Sequence, residues 1–393
     1  MSTKPRPLHE EERILSLDVM RGFALLGILL ANSLHFQYGL FVIPEIHNLY
    51  PLGPLDQIAE SFILLFTQAS FYTLFSFLFG YGMAFLKERL EQKNLHFGAV
   101  YWRRTFILLV VGYVHGLFIW DGDILFVYAL TAFVLFFFLK LRSKTLFIWS
   151  FLLLFLMALS IGTPEDEAST SLDNQLLSYS TEEKDVLSTG SYAEVVSFRL
   201  HADPLGLGVM GDIIINATSM VSVLGMFLLG AFVARKKWLV NLHDNRKLFV
   251  RVWWTTLLIG FPSKLPYLFS DRYAFEMLHM TIGGPFVAMF YASSIALLCT
   301  NERSLQILRP LTYVGRLSLT NYLTQSLVFT TLFYGYGFGL FSSIGVFAAA
   351  ILVFVFFALQ IVVSKWWLRH FYIGPFEWFW RWATYLSIPK FRR

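Results

Sequence analysis

Long apolar runs recur along the whole chain, and they limit the folds that are open to it. A bilayer core of about 30 Å is crossed by an α-helix of about 20 apolar residues. Segments of this kind lie near 22–42, 60–86, 104–120, 124–140, 145–161, 211–233, 249–269, 274–299, 317–337 and 342–364. With 56% hydrophobic residues and a mean hydropathy of +0.59, the chain lies outside the composition of soluble proteins. The sequence predicts an all-α fold, a polytopic integral membrane bundle of about ten transmembrane helices.

The loops alternate between basic and acidic, which predicts the orientation of the helices. Lys and Arg near helix ends stay on the cytoplasmic side of a membrane. One face collects Lys4, Arg6, Arg13, Lys87, Arg89, Lys93, Arg103, Arg104, Lys140, Arg142, Lys144, Arg235, Lys236, Lys237, Arg246, Lys247, Arg251, Arg303, Arg309, Arg316, Lys365, Arg369, Arg381, Lys390, Arg392 and Arg393. The other face is acidic, at Asp121 to Asp123 and between Gly162 and Gly208. Both termini are therefore predicted to be cytoplasmic, and the net charge of +5 indicates topology and attraction to anionic lipid rather than to nucleic acid.

The acidic stretch in the middle divides the chain into three parts. Residues 1–161 form an N-terminal membrane half of five spans, residues 162–208 an acidic extracytoplasmic loop, and residues 209–393 a C-terminal half of five spans with a short basic tail. Within the loop, the segment "YAEVVSFRL", Tyr192 to Leu200, is expected to form a short amphipathic cap.

Two further features exclude other classes of protein. The first apolar run resembles the core of a secretory signal peptide, but Asp18 is unfavourable there, so we interpret the run as a retained helix. The single cysteine, Cys299, excludes an internal disulfide and a thiolate metal cluster. No constellation of metal ligands is evident.

Polar side chains inside the apolar runs are the first candidates for function, because an ionisable group at membrane depth costs at least about 2.5 kcal/mol. Counting outward from Arg21 and Arg104, Asn32 and His115 each lie eleven residues farther along their helices. At 1.5 Å per residue this is about 16 Å, close to the middle of the membrane. His35 lies one turn above Asn32 on nearly the same face.

The sequence after His115 strengthens its candidacy. It leads into the acidic turn "DGD", which carries Asp121 and Asp123, and a neutral imidazole beside a carboxylate is the usual arrangement of a general base. On the eighth span, Glu276 and His279 are three residues apart and share a face in the outer third. These groups predict a polar pocket that opens outward, with His115 and Asn32 at its floor. The alternative is that they only bond to one another and to backbone carbonyls, and so hold helices together.

Arginines at the cytoplasmic helix ends are candidates for binding a phosphorylated ligand, because a guanidinium group pairs with phosphate through two hydrogen bonds. They are Arg21, Arg103, Arg104, Arg316 and Arg381. The alternative is that they only mark the cytoplasmic side.

Five segments together resemble the YeiB-like family of bacterial membrane proteins, the group known as domain of unknown function 418. They are "LDVMRGFALLGILLAN" (17–32), "FYTLFSFLFGYG" (71–82), "VHGLFIWDGDILFVYAL" (114–130), "GRLSLTNYLTQS" (315–326) and "IGPFEWFWR" (373–381). The first two segments also resemble a wider set of transmembrane acyltransferases, which includes the lysosomal heparan glucosaminide acetyltransferases. Those enzymes transfer an acyl group from cytosolic acyl-CoA to a sugar on the far side of the membrane.

This resemblance implies roles for residues that match the shared motifs, which are Asp18, Arg21, Gly22, Asn32, Phe79 and Gly80. It does not supply the catalytic histidine. In the heparan enzymes an active histidine follows the Asn by about three turns of helix, where this chain has Ile43. The nearest histidines are His35 and His47, so either His35 or His115 has taken the role, or the family has a different activity.

The acyl-transfer hypothesis assigns His115, Asp123, Asn32 and His35 to catalysis. Asp123 orients His115 as the base for an acceptor, which is a sugar, a polymer or a lipid, and Asn32 donates to the oxyanion. The predicted substrate-binding residues are Asp18, Arg21, Arg104, Glu276, His279, Arg316, Asn321 and Gln325. Acyl-CoA is expected as a co-substrate rather than a permanently bound cofactor, and membrane lipids are expected partners.

Two other functions fit the same sequence. In a transporter of the cell membrane, the polar groups would bind solute, and Gly283, Gly284 and Pro285 would break the eighth helix so that it can move. In a non-catalytic scaffold of the envelope, the acidic loop would be the binding element. The oligomeric state does not follow from the sequence.

Overall fold

The structure, a computed structural model, is built from α-helices, and each predicted apolar run overlaps at least one of them. It describes residues 14–41, 49–163 and 167–393, with the side chains of the last range described from residue 174. The predictions about Ile43 and His47 lie outside these residues. The described helices are α1 Leu15–Tyr38, α2 Pro54–Phe66, α3 Ser70–Gln92, α4 Phe97–Phe118, α5 Leu125–Phe138, α6 Ser143–Ala158, α7 Glu167–Thr189, α8 Tyr192–Leu200, α9 Val209–Arg235, α10 Arg246–Lys264, α11 Tyr273–Leu278, α12 Gly284–Leu298, α13 Glu302–Arg316, α14 Ser318–Phe333, α15 Val346–His370 and α16 Pro375–Tyr385.

Seven helical stretches of the described chain are long and apolar enough to cross a membrane. They are Leu15–Tyr38, Pro54–Gln92, Phe97–Phe118, Ser143–Gly162, Val209–Arg235, Tyr273–Leu298 and Val346–His370. The other three predicted spans coincide with α5, α10 and α14, which are shorter or more polar. Helices satisfy every backbone donor and acceptor within the segment, as lipid requires. The predicted all-α, polytopic membrane fold is therefore confirmed.

Two pairs of glycines set the distance between the helices at the centre of the bundle. A β-carbon on Gly22 of α1 would lie 2.1 Å from the Leu311 carbonyl oxygen of α13, and one on Gly315 would lie 2.0 Å from the Asp18 carbonyl oxygen. Gly80 of α3 and Gly230 of α9 face each other's backbones in the same way. Small residues allow such close approach in membrane bundles, where packing rather than hydrophobic burial drives helix association.

The second predicted span, 60–86, is not one helix, which corrects the sequence-based expectation. Residues 67–69 interrupt it between α2 and α3, and Ala69 has a left-handed φ of 60°. The Lys264 ammonium is buried at this break and donates to the Gln68 carbonyl oxygen at 2.6 Å and to Ser70 Oγ at 3.0 Å. Non-helical backbone at this depth is tolerated because protein groups satisfy it.

The acidic loop folds over one end of the bundle, which we call the cap end. The expected helix at Tyr192–Leu200 is α8, and it begins with a capping box in which Ser191 and Glu194 bond each other's backbone amides. Helix α7 precedes it and was not expected from the sequence. The side-chain carboxyl group of Glu183 on α7 accepts the Leu40 amide at 3.1 Å, which fastens the cap to the end of α1. We call the opposite end, which carries Arg21, Arg104 and Arg316, the basic end.

Candidate active site

His115 and Asp123 form a buried pair between the end of α4 and the start of α5. Their Nδ1 and Oδ1 atoms are 2.9 Å apart, and the two side chains are 1% and 2% exposed. The chain turns sharply after α4, so residues eight apart in sequence meet. Because Asp123 accepts at Nδ1, the proton belongs on Nδ1 and Nε2 keeps its lone pair. Nε2 is buried and has no hydrogen-bond partner among the described residues.

Asp123 is held by two more hydrogen bonds, which fix the direction of its carboxylate. Its Oδ2 atom accepts the Phe126 amide at 3.0 Å, so it also caps the first turn of α5. Its Oδ1 atom accepts the hydroxyl of Tyr322 from α14 at 3.1 Å. The Tyr322 ring lies 5.5 Å from the His115 ring. His115, Asp123 and Tyr322 therefore form one connected group contributed by three parts of the chain.

Sequence reasoning missed Tyr322. The available signal was its place within "GRLSLTNYLTQS", the segment in which Asn321 and Gln325 were chosen instead. Those two residues lie in a different network. Asn321 bonds Ser364 at 3.1 Å, and Gln325 bonds Gln360 at 2.9 Å, so both tie α14 to α15. Neither is among the described residues that line the cavity below.

A large cavity extends from the basic end to this group. It has a volume of about 1590 Å³ and reaches Ile124 and Tyr322. Both His96 and Leu108 of the α4 region line it, so it follows that helix for about 18 Å at 1.5 Å per residue. Its inner part is lined by apolar side chains, which include Ile28, Phe75, Leu78, Phe79, Leu108 and Leu125. The cavity is thus an apolar passage that ends at Tyr322, and neither His115 nor Asp123 is among the described residues that line it.

The mouth of the cavity is strongly basic. It is lined by Arg21, Arg89, Arg103, Arg104, Arg316, Arg381, Lys390 and Arg393, with Asp18 and Glu377 as carboxylates. Four residues predicted to bind substrate, Asp18, Arg21, Arg104 and Arg316, lie together here. Arg21 pairs with Asp18 at 3.2 Å. The excess of guanidinium groups makes the mouth a favourable place for a ligand with several phosphates.

Helix α16 forms one wall of the mouth, and four contacts hold it. Glu377 accepts the backbone amides of Leu319 at 2.8 Å and Thr320 at 3.0 Å, so it caps α14. Trp380 donates to the Arg104 carbonyl oxygen at 3.2 Å, and the Arg104 guanidinium lies 3.7 Å from the centre of the Trp380 ring. The segment "IGPFEWFWR" therefore contributes to the site, because it supplies Glu377 and Trp380 to this wall.

Other predicted site residues lie elsewhere. Asn32 and His35 on α1 are half-buried and are not among the described residues that line the cavity. Glu276 and His279 lie where the chain passes from α11 into a π-helical turn, and the His279 ring packs 5.1 Å from that of Tyr267. Counting residues along α1 predicted the depth of Asn32 in the membrane. It did not predict the direction in which its side chain faces, because that direction depends on how the helices pack.

The cavity opens at the end opposite to the one expected. The sequence predicted a pocket that opens outward above His115, but α8 covers that side. Tyr192 donates to the Phe118 carbonyl oxygen at 2.8 Å, and Arg199 lies 3.6 Å from Asp121. The described residues contain no group of three or more His, Cys, Asp and Glu side chains that could hold a metal ion.

Comparison with known proteins gives relatives over nearly the whole chain. Residues 233–387 match the family model described as "Protein of unknown function (DUF418)". The chain is 35% identical over 398 residues to the uncharacterized protein YxaH of Bacillus subtilis, covering 97% of this chain and 96% of that one. It is 31% identical to the uncharacterized protein YeiB of Escherichia coli, covering 95% and 96%. No solved structure matches. The chain belongs to the YeiB-like, DUF418 family of membrane proteins.

Proposed function

We propose that this protein is a transmembrane acyltransferase that takes an acyl group from acyl-CoA and delivers it to an acceptor on the other side of the cell membrane. The observation that carries the proposal is the passage that begins at a ring of arginines and ends at the buried group of Tyr322, Asp123 and His115. A CoA thioester is a polyanion at one end and a reactive carbonyl at the other, so it matches both ends of this passage.

The roles follow from position. Arg21, Arg104 and Arg316 pair with the CoA phosphates at the basic end, which the loop charges predict to be cytoplasmic. The pantetheine arm lies along the apolar part, so that the thioester carbonyl lies near Tyr322. The acceptor, a sugar, polymer or lipid with a hydroxyl or amine, approaches His115 from the cap end. Acyl-CoA is then a co-substrate and not a resident cofactor.

The chemical step uses the free nitrogen of His115. Nε2 takes the proton of the acceptor as its oxygen or nitrogen bonds to the carbonyl carbon, and the carbon–sulfur bond then breaks. The proton passes from the imidazolium to the departing CoA sulfur. Asp123 holds the ring and balances its positive charge while the proton is on it. The oxyanion role of Asn32 stays a prediction, since Asn32, like His115 and Asp123, is not among the described residues that line the cavity, and it has no described bond to this pair.

Binding of acyl-CoA to the purified protein tests the first half of the proposal. A panel of CoA esters of different chain lengths is expected to raise the melting temperature, because a ligand that binds only the folded state stabilises it. Arg104→Gln should weaken this effect. Arg251→Gln is the matched control, since Arg251 is an exposed arginine that does not line the cavity. If no CoA ester stabilises the protein, the proposal is wrong.

Transfer of a labelled acyl group to a membrane extract tests the second half. His115→Ala should keep the CoA-induced stabilisation and lose transfer by a factor of at least about 100, the usual contribution of a general base. A His115→Ala variant that still transfers the label at the normal rate would remove His115 from the mechanism.

A transporter is the second candidate, and the helix break at residues 67–69 favours it. Transporters place solute or ions at interrupted helices within the membrane. Here the buried Lys264 ammonium bonds the interrupted backbone, and a π-helical turn at His279–Gly283 lies against it, with the place of a Gly283 β-carbon only 2.4 Å from Lys264 Cγ. Under this function CoA esters would not stabilise the protein.

A further inference from the structure

A second, smaller groove lies on the outside of the bundle between α4 and α16, near the basic end. It has a volume of about 440 Å³ and is lined by Arg103, Phe106, Ile107, Trp382, Ala383 and Leu386. Phe106 is 60% exposed and Leu386 is 71% exposed, although both are large apolar side chains. Such exposure is expected where a helix bundle faces lipid rather than water.

Arg103 is the one charged side chain among the described residues that line the groove. It stands six residues into α4 from Phe97, about 9 Å along the helix, so it lies beside the basic end rather than at mid-bundle. Its Nε atom is buried and has no hydrogen-bond partner among the described residues. A guanidinium with an unused Nε donor next to an apolar channel suits a ligand with an anionic group and an alkyl chain.

Aromatic residues on α16 indicate the level of the membrane at which the groove lies. The helix carries the segment "PFEWFWRWATY", and Trp382 lines the groove. Trp and Tyr concentrate at the level of the lipid headgroups, where an apolar ring and a polar N–H or O–H are both accommodated. The groove therefore runs from the headgroup level, at Arg103, into the alkyl-chain region, at Phe106 and Ile107.

We propose that this groove binds one anionic phospholipid of the leaflet at the basic end. The phosphate would lie on Arg103, and one acyl chain would lie along Phe106, Ile107 and Ala383. Charge complementarity selects this occupant, because a zwitterionic lipid brings a cation to a region already rich in arginine. The lipid site does not depend on the proposed acyl transfer.

The groove and the large cavity share two lining residues, Arg103 and Leu386. A lipid phosphate that engages Arg103 from outside therefore withdraws a positive group from the cavity mouth. This makes the bound lipid a competitor for any phosphate-bearing ligand that reaches Arg103 from the cavity.

Native mass spectrometry of the full chain with phosphatidylglycerol and phosphatidylcholine tests the site. The wild-type protein should retain one more phosphatidylglycerol than phosphatidylcholine molecule at matched lipid concentration. Arg103→Gln should lower phosphatidylglycerol retention about tenfold, towards that of phosphatidylcholine, because one charge-assisted contact is lost. Arg103→Lys should keep most of the preference, since it keeps the charge.

A second test of the lipid site fills the groove with a larger side chain. Ala383→Phe should reduce the retained phosphatidylglycerol, whereas Ala358→Phe, at an exposed alanine on α15 away from the groove, should not. Gel filtration of each variant establishes that it is folded. Equal retention of the two lipids by the wild-type protein, or unchanged retention in both Arg103→Gln and Ala383→Phe, would overturn the proposal.

Discussion

Asp123 is the residue on which the candidate site depends, because its two oxygens meet three donors. His115 and Tyr322 both bond Oδ1, and the Phe126 amide bonds Oδ2. The carboxylate is thereby fixed to the start of α5, to the end of α4 and to α14 at once. A histidine held by a carboxylate that cannot rotate keeps one tautomer and one ring orientation, which is what a base needs before the acceptor arrives.

Tyr322→Phe is expected to slow acyl transfer by a factor of about 10 to 100, because a hydrogen bond to a charged group contributes about 1.5–3 kcal/mol. The ring remains, so the cavity keeps its shape. Two quantities should be measured for this variant, kcat and the stabilisation by CoA esters. We expect kcat to fall and the stabilisation to stay as in the wild-type protein.

Tyr101→Phe is the control for this prediction. Tyr101 is fully buried on α4, and its hydroxyl donates to the Ala132 carbonyl oxygen at 2.6 Å, away from the cavity. It should lower the melting temperature and leave kcat unchanged. If both substitutions reduce kcat equally, Tyr322 acts only through the stability of the fold.

At the scale of helices, the crossing of α1 and α13 positions two arginines of the cavity mouth. Gly22 follows Arg21 directly, and Gly315 precedes Arg316 directly. The close contact between these backbones therefore fixes the relative position of two arginines at the cavity mouth. This contact explains why a glycine follows Arg21 and a glycine precedes Arg316.

Gly22→Ala and Gly315→Ala should each cost about 1–3 kcal/mol of stability, because either methyl group would overlap the carbonyl oxygen of the facing helix. The double variant should cost less than the sum, since one separation of the helices relieves both contacts. Melting temperatures in detergent measure this. Gly98→Ala is the control, because its methyl group would lie 3.9 Å from the nearest atom, and it should not be destabilising. Additive losses would mean that the two sites are independent.

The sequence predicted the helices better than it predicted the breaks within them. Helix α4 and helix α15 follow from unbroken apolar runs, and α8 follows from a short amphipathic segment. The sequence does not predict the break at "TQA", 67–69, because this short polar stretch is bounded by apolar residues on both sides. The side chain that satisfies the interrupted backbone is Lys264, which lies almost 200 residues away in sequence.

In the candidate site, too, contacts between residues close in sequence were predicted, and contacts between distant residues were not. His115 and Asp123 were predicted together because a short turn joins them. Tyr322 was missed because it bonds Asp123 across 199 positions of sequence. The arginines of the mouth were found individually from the charge pattern, but only packing shows that they line one cavity.

At the scale of the whole molecule, the group around His115 lies between two ends of the bundle, of which one is open and the other is covered. The basic end leads to it through an open cavity, and the cap end is covered by α7 and α8. For an acceptor to reach His115 from the cap end, the cap must move. One of its polar attachments is Glu183, which is 1% exposed and bonds the Leu40 amide at the end of α1.

The cap is expected to become less stably closed as pH rises from about 4.5 to about 8. Burial, and then the nearby Asp121 carboxylate, raise the pKa of Glu183 from 4.5 to about 8, against the opposing effects of the Leu40 amide and Arg199. Between these values Glu183 keeps its proton in the closed cap and loses it when the cap opens, so rising pH favours opening. Hydrogen-exchange protection factors of α7 and α8, measured from pH 5 to 9, should fall through this window. Glu183→Gln should remove the slope, and Glu182→Gln, at the exposed neighbouring position, should keep it. A slope that persists in Glu183→Gln would assign the pH dependence to another group.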